Sequence, residues 1–76
     1  MGCKQMKVRF EGVIVSFEST DERRVQVYGS VEGTPAEFTL VVSEDKFNEL
    51  LRLGIGQRIE GEAVKVSDSP LVLRLD

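Results

Sequence analysis

Apolar residues recur at every second position in several short stretches of this chain, a spacing that puts alternate side chains on the two faces of a β-strand. The spacing is clearest over residues 25–31, 36–42 and 71–75, where apolar and polar residues alternate. Polar turn residues at 19–22 precede the first of these stretches, and turn residues at 32–35 separate it from the second. The chain is therefore predicted to be mainly β, with its second and third strands forming a hairpin.

The first strand, residues 7–17, contains a glycine at which the alternation changes phase. Val8 and Phe10 precede Gly12 with period two. Beyond the glycine, the predicted inward side chains are Val13, Val15 and Phe17, with Ile14 on the outer face. A glycine inside a strand often marks a bulge or a sharp bend, so we expect this strand to curl from one half of a barrel into the other. Residues 59–66 repeat the pattern around a second internal glycine.

One segment between the third and fourth strands has the spacing of a helix. Ser43 is a suitable N-cap, and the two acidic residues after it favour the positive end of the helix dipole. Phe47, Leu50 and Leu51 then form one apolar stripe, and Gly54 is placed to end the helix. The predicted order of elements is β-β-β-α-β-β.

This order describes an all-β chain with one helix, whose five antiparallel strands close into a barrel because closure removes exposed edges. The helix, with its single apolar stripe, is expected to plug one end of the barrel. With 76 residues, the chain has room for one domain, predicted over residues 7–76 after a flexible leader at 1–6. A small Sm-like or SH3-like barrel also fits short strands of broken phase.

Composition excludes several function classes. The chain has no histidine and one cysteine, Cys3, so a zinc site and a Cys-His nucleophile pair are ruled out and no cofactor is expected. The carboxylate pair Glu60 and Glu62 lies in a polar stretch without an apolar pocket to raise a pKa, which argues against an enzyme. No stretch approaches the roughly 20 apolar residues of a membrane span. We expect a cytoplasmic protein in a reducing compartment.

The segment from Phe47 to Val64 reads as a helix, a glycine turn and a strand with a second glycine. In this, and in its order of elements, the chain resembles the oligonucleotide/oligosaccharide-binding (OB) fold, and the predicted architecture is a five-stranded OB-like antiparallel barrel. The resemblance implies a binding role, for single-stranded nucleic acid or for a protein partner, on a surface made by strands two and three with their flanking loops. Molybdate-binding Mop-type barrels share the helix, glycine turn and strand, so an oxyanion-binding barrel is a further alternative.

The outward positions of the alternation supply the candidate binding residues. A net charge of −3 argues against binding nucleic acid by bulk electrostatics, so a local patch is needed. Tyr28 is expected to stack on one base, and arginines to contact phosphates, while Phe38 is assigned to the core. The predicted nucleic-acid-binding residues are Arg9, Arg24, Gln26, Tyr28, Thr39 and Lys65. The competing prediction is a protein-interaction or assembly subunit, and the oligomeric state stays open.

Overall fold

The computed structural model describes residues 7–75, and the predicted leader at 1–6 lies outside the described residues. The elements within this range are β1 (Lys7–Ser19), β2 (Arg23–Val31), β3 (Thr34–Val42), α1 (Glu44–Leu53), β4 (Arg58–Asp68) and β5 (Leu71–Leu75). The predicted order β-β-β-α-β-β is confirmed.

The five strands form a closed barrel in the order β1-β2-β3-β5-β4. The long β1 pairs along one edge with β2 and along the other with β4, as its length allows. Four of the pairings are antiparallel, but β3 and β5 run parallel, so the barrel is mixed and not wholly antiparallel. The reason is the route of the chain. After β3 it passes through α1 and enters β4 on the far side, and β5 then returns beside β3 in the same direction.

The phase of β1 differs from the prediction. Ile14 is the buried residue, with 1% of its surface exposed, whereas Val13 and Val15 are 40% and 46% exposed. The alternation that starts at Val8 continues through the glycine, and the register shifts only between Ile14 and Ser16. A β-bulge at this point contains one extra residue, which restores Phe17 to the core side of the strand.

The glycine predicted to break β1 has a different role. Gly12 lies directly opposite Gly29 on β2, and the two backbones approach too closely for side chains. A Cβ on Gly29 would lie 2.2 Å from the carbonyl oxygen of Glu11, far inside van der Waals contact. This glycine pair therefore permits a close approach of β1 and β2 without changing the phase of either strand.

Helix α1 covers the barrel at the end where β1 finishes. The Ser43 hydroxyl accepts a hydrogen bond from the backbone N–H of Lys46 in the first turn, so the predicted N-cap is confirmed. Phe47 and Leu50 are buried, and the Phe47 ring meets Phe17 edge-to-face with centroids 5.7 Å apart. Leu51, predicted to share the apolar stripe, is instead half-exposed, and only Phe47 and Leu50 of the stripe belong to the core.

Candidate nucleic-acid interface

Four of the predicted binding residues lie together on the outer surface of β2 and β3. Arg24, Gln26 and Tyr28 are alternate residues of β2, and Thr39 is opposite Gln26 on β3. The Thr39 hydroxyl donates a hydrogen bond to Gln26 Oε1 at 3.0 Å. We call this group, Arg24, Gln26, Tyr28 and Thr39, the β2–β3 face. It exists because the polar positions of both strands keep period two over their whole paired length.

Tyr28 is the most accessible aromatic side chain of the described residues. It is 61% exposed and stands between Val13 of β1 and Glu37 of β3 in the strand register. The four phenylalanines are in or against the core, and Phe38 is fully inside it, as predicted. The face therefore offers one ring with a free surface for stacking.

A cleft of about 450 Å³ adjoins the face at Arg24. Arginines at positions 23, 24 and 74 line it together with Val41, Val66 and Val72, and we call these six residues the arginine cleft. Among residues 7–75, Glu22 is the one carboxylate in its lining. Arg24 and Arg74 flank Val41 in the register of three neighbouring strands. Two of the arginines make long ion pairs at half-exposed positions, Arg24 to Glu22 at 3.5 Å and Arg23 to Glu44 at 3.8 Å. Such surface pairs are weak and exchange readily for other anions.

Of the six residues of the arginine cleft, only Arg24 is among the predicted binding residues. Arg23 has the inward phase of β2, but as its first residue it lies at the end of the strand and reaches the cleft rim. The doublet of Arg23 and Arg24 was the available signal. Val66 is at the β4 bulge, and Val72 is brought beside Thr39 by the parallel pairing of β3 with β5. These positions depend on non-local pairing.

Arg9 lies apart from the β2–β3 face, at the other end of β1. Its backbone N–H donates to the Glu32 carboxylate at 2.6 Å, and Glu62 of β4 is its register partner. It lines a second cleft, of about 580 Å³. We call it the acidic cleft, after Glu11, Glu32, Glu60 and Glu62, which line it with Arg9.

Arg58, the first residue of β4, forms an ion pair with one carboxylate of the acidic cleft. Arg58 donates a hydrogen bond to Glu11 Oε1 at 2.6 Å. This hydrogen bond and the charge of the same carboxylate raise the pKa of the Arg58 guanidinium, which stays protonated. Four carboxylates nevertheless outnumber Arg9 and Arg58, so this end of the barrel is negative.

Lys65 is also apart from the β2–β3 face. It is in register with Leu73, which is fully buried, and its ammonium group pairs with Asp68. The alternation through Gly61 and buried Ala63 continues to Lys65, and the register shifts only after it, so a position that reads as outward in the sequence is on the inner phase of β4. The structure thus brings four of the six predicted residues together, and places Arg9 and Lys65 elsewhere.

Residues 7–75 contain no group of three or more His, Cys, Asp or Glu side chains arranged to hold a metal ion. Within the same range, the helix is too short and too polar to cross a membrane.

The closed barrel with its helix between β3 and β4 is an OB-fold. Among solved structures, it is similar to Rim1, a mitochondrial single-stranded DNA-binding protein from S. cerevisiae, with a TM-score of 0.72 and 16% sequence identity. The match covers 97% of this chain and 90% of that one. No protein-family model matches the sequence, and no curated protein sequence does either. At this identity the likeness concerns the fold.

Proposed function

We propose that this protein is a non-enzymatic module that binds single-stranded nucleic acid weakly, through the β2–β3 face and the arginine cleft. The observation that carries the proposal is the exposed Tyr28 ring on the same face as a cleft lined by three arginines. The similarity of the fold to a single-stranded DNA-binding protein supports it. Two of the predicted residues, Arg9 and Lys65, have no part in this proposed site.

Each part of the site contributes a different interaction. The Tyr28 ring stacks on one base, which is a sequence-tolerant contact because every base has a π-face. The Gln26 amide and the Thr39 hydroxyl, already joined to each other, have remaining donors and acceptors for base edges. Arg23 and Arg24 contact phosphates while the valines of the cleft floor give an apolar surface beside them.

Replacing Tyr28 by alanine is expected to weaken the binding of a short oligonucleotide about 5- to 150-fold. This range follows from the roughly 1–3 kcal/mol that stacking on one base contributes. The measurement is a fluorescence-anisotropy titration with a labelled mixed-sequence single-stranded DNA or RNA at low salt. Tyr28 is exposed, so the substitution leaves the fold intact.

The matched control is Tyr28→Phe, which keeps the ring and removes the hydroxyl. It should bind within about twofold of the parent if stacking is the main contribution. An alanine variant that binds as well as the parent would contradict the proposed role of Tyr28. Amide-resolved NMR during the same titration should show saturable shifts at Arg24, Gln26 and Tyr28.

Binding is also expected to be strongly salt-sensitive. The whole chain carries a charge of −3, so attraction to phosphates depends on the local arginines. Two phosphate contacts on a single strand, from Arg23 and Arg24, give a slope of log K against log salt of about −1.4, which is roughly sevenfold between 50 and 200 mM salt. Arg24→Gln should reduce the slope by about 0.7. An affinity that is flat over this range would exclude phosphate contact as the source of binding.

A protein-interaction role is the second candidate, and one surface favours it. Val13, Val15 and Ile55 are all exposed. Ile55 lies close to Val15 because the next residue, Gly56, donates its N–H to the carbonyl oxygen of Ile14 at 2.8 Å. Exposed apolar groups that adjoin one another are typical of contact surfaces. Absence of NMR shifts with oligonucleotides at low salt, together with a solution mass above that of the monomer, would favour this role.

An oxyanion-binding barrel is the third prediction. The arginine cleft is the place where it would act, and thermal stabilisation by molybdate, tungstate or sulfate is its test. A flat response to all three anions would remove it.

A further inference from the structure

The charge of the outer surface changes sign along the direction of β2. At one end, Arg24 and Arg74 flank Val41, and this row also has a carboxylate, Glu18, opposite Arg24. Two residues further along β2, the row across the sheet is neutral and contains Gln26, Thr39 and Val72. Another two residues further, Tyr28 is opposite Glu37, and the same row continues across Val13 to Arg58. The order along the strand is therefore basic, then neutral, and then an aromatic row in which Glu37 and Arg58 balance.

Beyond Tyr28 the surface is negative. Ser30, the next outward residue of β2, donates a hydrogen bond to Glu11 at 3.4 Å. Glu11, which pairs with Arg58, is opposite Glu60 on β4, and with Glu32 and Glu62 these carboxylates outnumber the arginines of the acidic cleft. A phosphate placed past Tyr28 would approach carboxylates within the screening length, about 8–10 Å at physiological ionic strength. Repulsion would be strongest at low salt, where attraction to the arginines is strongest too.

From these observations we infer that the face accepts only a short stretch of single-stranded nucleic acid, about four nucleotides long, whose track ends at Tyr28. The inference rests on the proposed function and adds a limit on the ligand. Arg24 and Tyr28 are four residues apart along β2, or roughly 14 Å at the rise of a strand. A site of this extent is at the low end of the range of about 4–16 nucleotides for an OB-fold. Glu37, opposite Tyr28, is the first carboxylate that this track meets on β3.

The test is the dependence of affinity on oligonucleotide length. Oligothymidylates of two to twelve nucleotides are titrated at low salt. We expect affinity to rise up to about four nucleotides, and beyond that only by the number of ways the short site can be placed, about ninefold at twelve nucleotides. An affinity that rises well beyond this statistical factor overturns the inference.

Two matched variants distinguish an effect of where a carboxylate lies from an effect of the overall charge of the protein. Glu37→Gln, at the aromatic end, should strengthen binding of an eight-nucleotide ligand about threefold and leave a four-nucleotide ligand unchanged. Glu18→Gln removes the same charge beside Arg24, its register partner, and should strengthen both lengths equally. Equal effects of the two variants on both lengths overturn the inference while the proposed function stands. Failure of every length to bind the parent protein at low salt overturns the proposed function, and the inference with it.

Discussion

Ile14→Ala is expected to lower the free energy of unfolding by about 2–5 kcal/mol, the range for removing a large aliphatic side chain from a packed core. Ile14 is 1% exposed and belongs to the cluster of buried residues inside the barrel. Its loss leaves a cavity between strands that cannot move together, because the barrel is closed. Urea denaturation followed by circular dichroism gives the midpoint and the slope of the unfolding transition, and hence the change in the free energy of unfolding.

The control for this prediction is the preceding residue. Val13→Ala should change stability by less than about 1 kcal/mol, since Val13 is 40% exposed. The two substitutions together test the phase of β1, because the opposite phase would make Val13 the costly position. If Ile14→Ala leaves too little folded protein to measure, Ile14→Val should still cost about 0.5–1.5 kcal/mol. A larger loss at Val13 than at Ile14 would contradict the observed register.

Gly29→Ala is expected to destabilise the fold by about 3 kcal/mol, the upper end of the usual cost of overpacking. The new methyl group would lie 2.2 Å from the Glu11 carbonyl oxygen and 2.3 Å from Gly12 Cα. Both are backbone atoms, so the clash is relieved only by moving β1 away from β2 and lengthening their hydrogen bonds. Urea denaturation is again the measurement.

Gly61→Ala is the matched control on β4. A Cβ there would meet the Phe10 ring at 3.5 Å, an ordinary van der Waals contact. Because alanine has less backbone freedom to lose on folding, this variant should be neutral or more stable by about 0.4–1 kcal/mol. Equal destabilisation by both substitutions would show that the strands resist any side chain at these positions, and that close approach of β1 and β2 is not the cause.

The Gly12–Gly29 pair also positions part of the proposed site. A Cβ on Gly12 would lie 2.7 Å from the backbone carbonyl oxygen of Tyr28. The close packing of β1 against β2 therefore holds the backbone that carries the exposed ring. We expect core contacts and the glycine pair to determine where Tyr28 stands, whereas its exposed ring contributes to binding and little to stability.

The local pattern of apolar and polar residues predicts much of the fold and the central residues of the candidate site. The order of elements, the Ser43 cap and the burial of Phe38 follow from spacing and side-chain chemistry within a few residues. The shared face of Arg24, Gln26 and Tyr28 does too, because β2 keeps a regular alternation through these residues. In such a strand, each side chain's direction is determined by its neighbours in the chain.

Features that depend on which strands pair could not be predicted from the local sequence. The bulges after Ile14 and Lys65 reset the phase of β1 and β4, and nothing nearby in the sequence locates them. The parallel pairing of β5 with β3 places Arg74 beside Val41 and so completes the arginine cleft. The pairing of β1 with β4 places Arg9 opposite Glu62. Sequence alone determined the strands and the exposed ring, whereas barrel closure determined where the charges lie, because charges on different strands become neighbours only through non-local pairing.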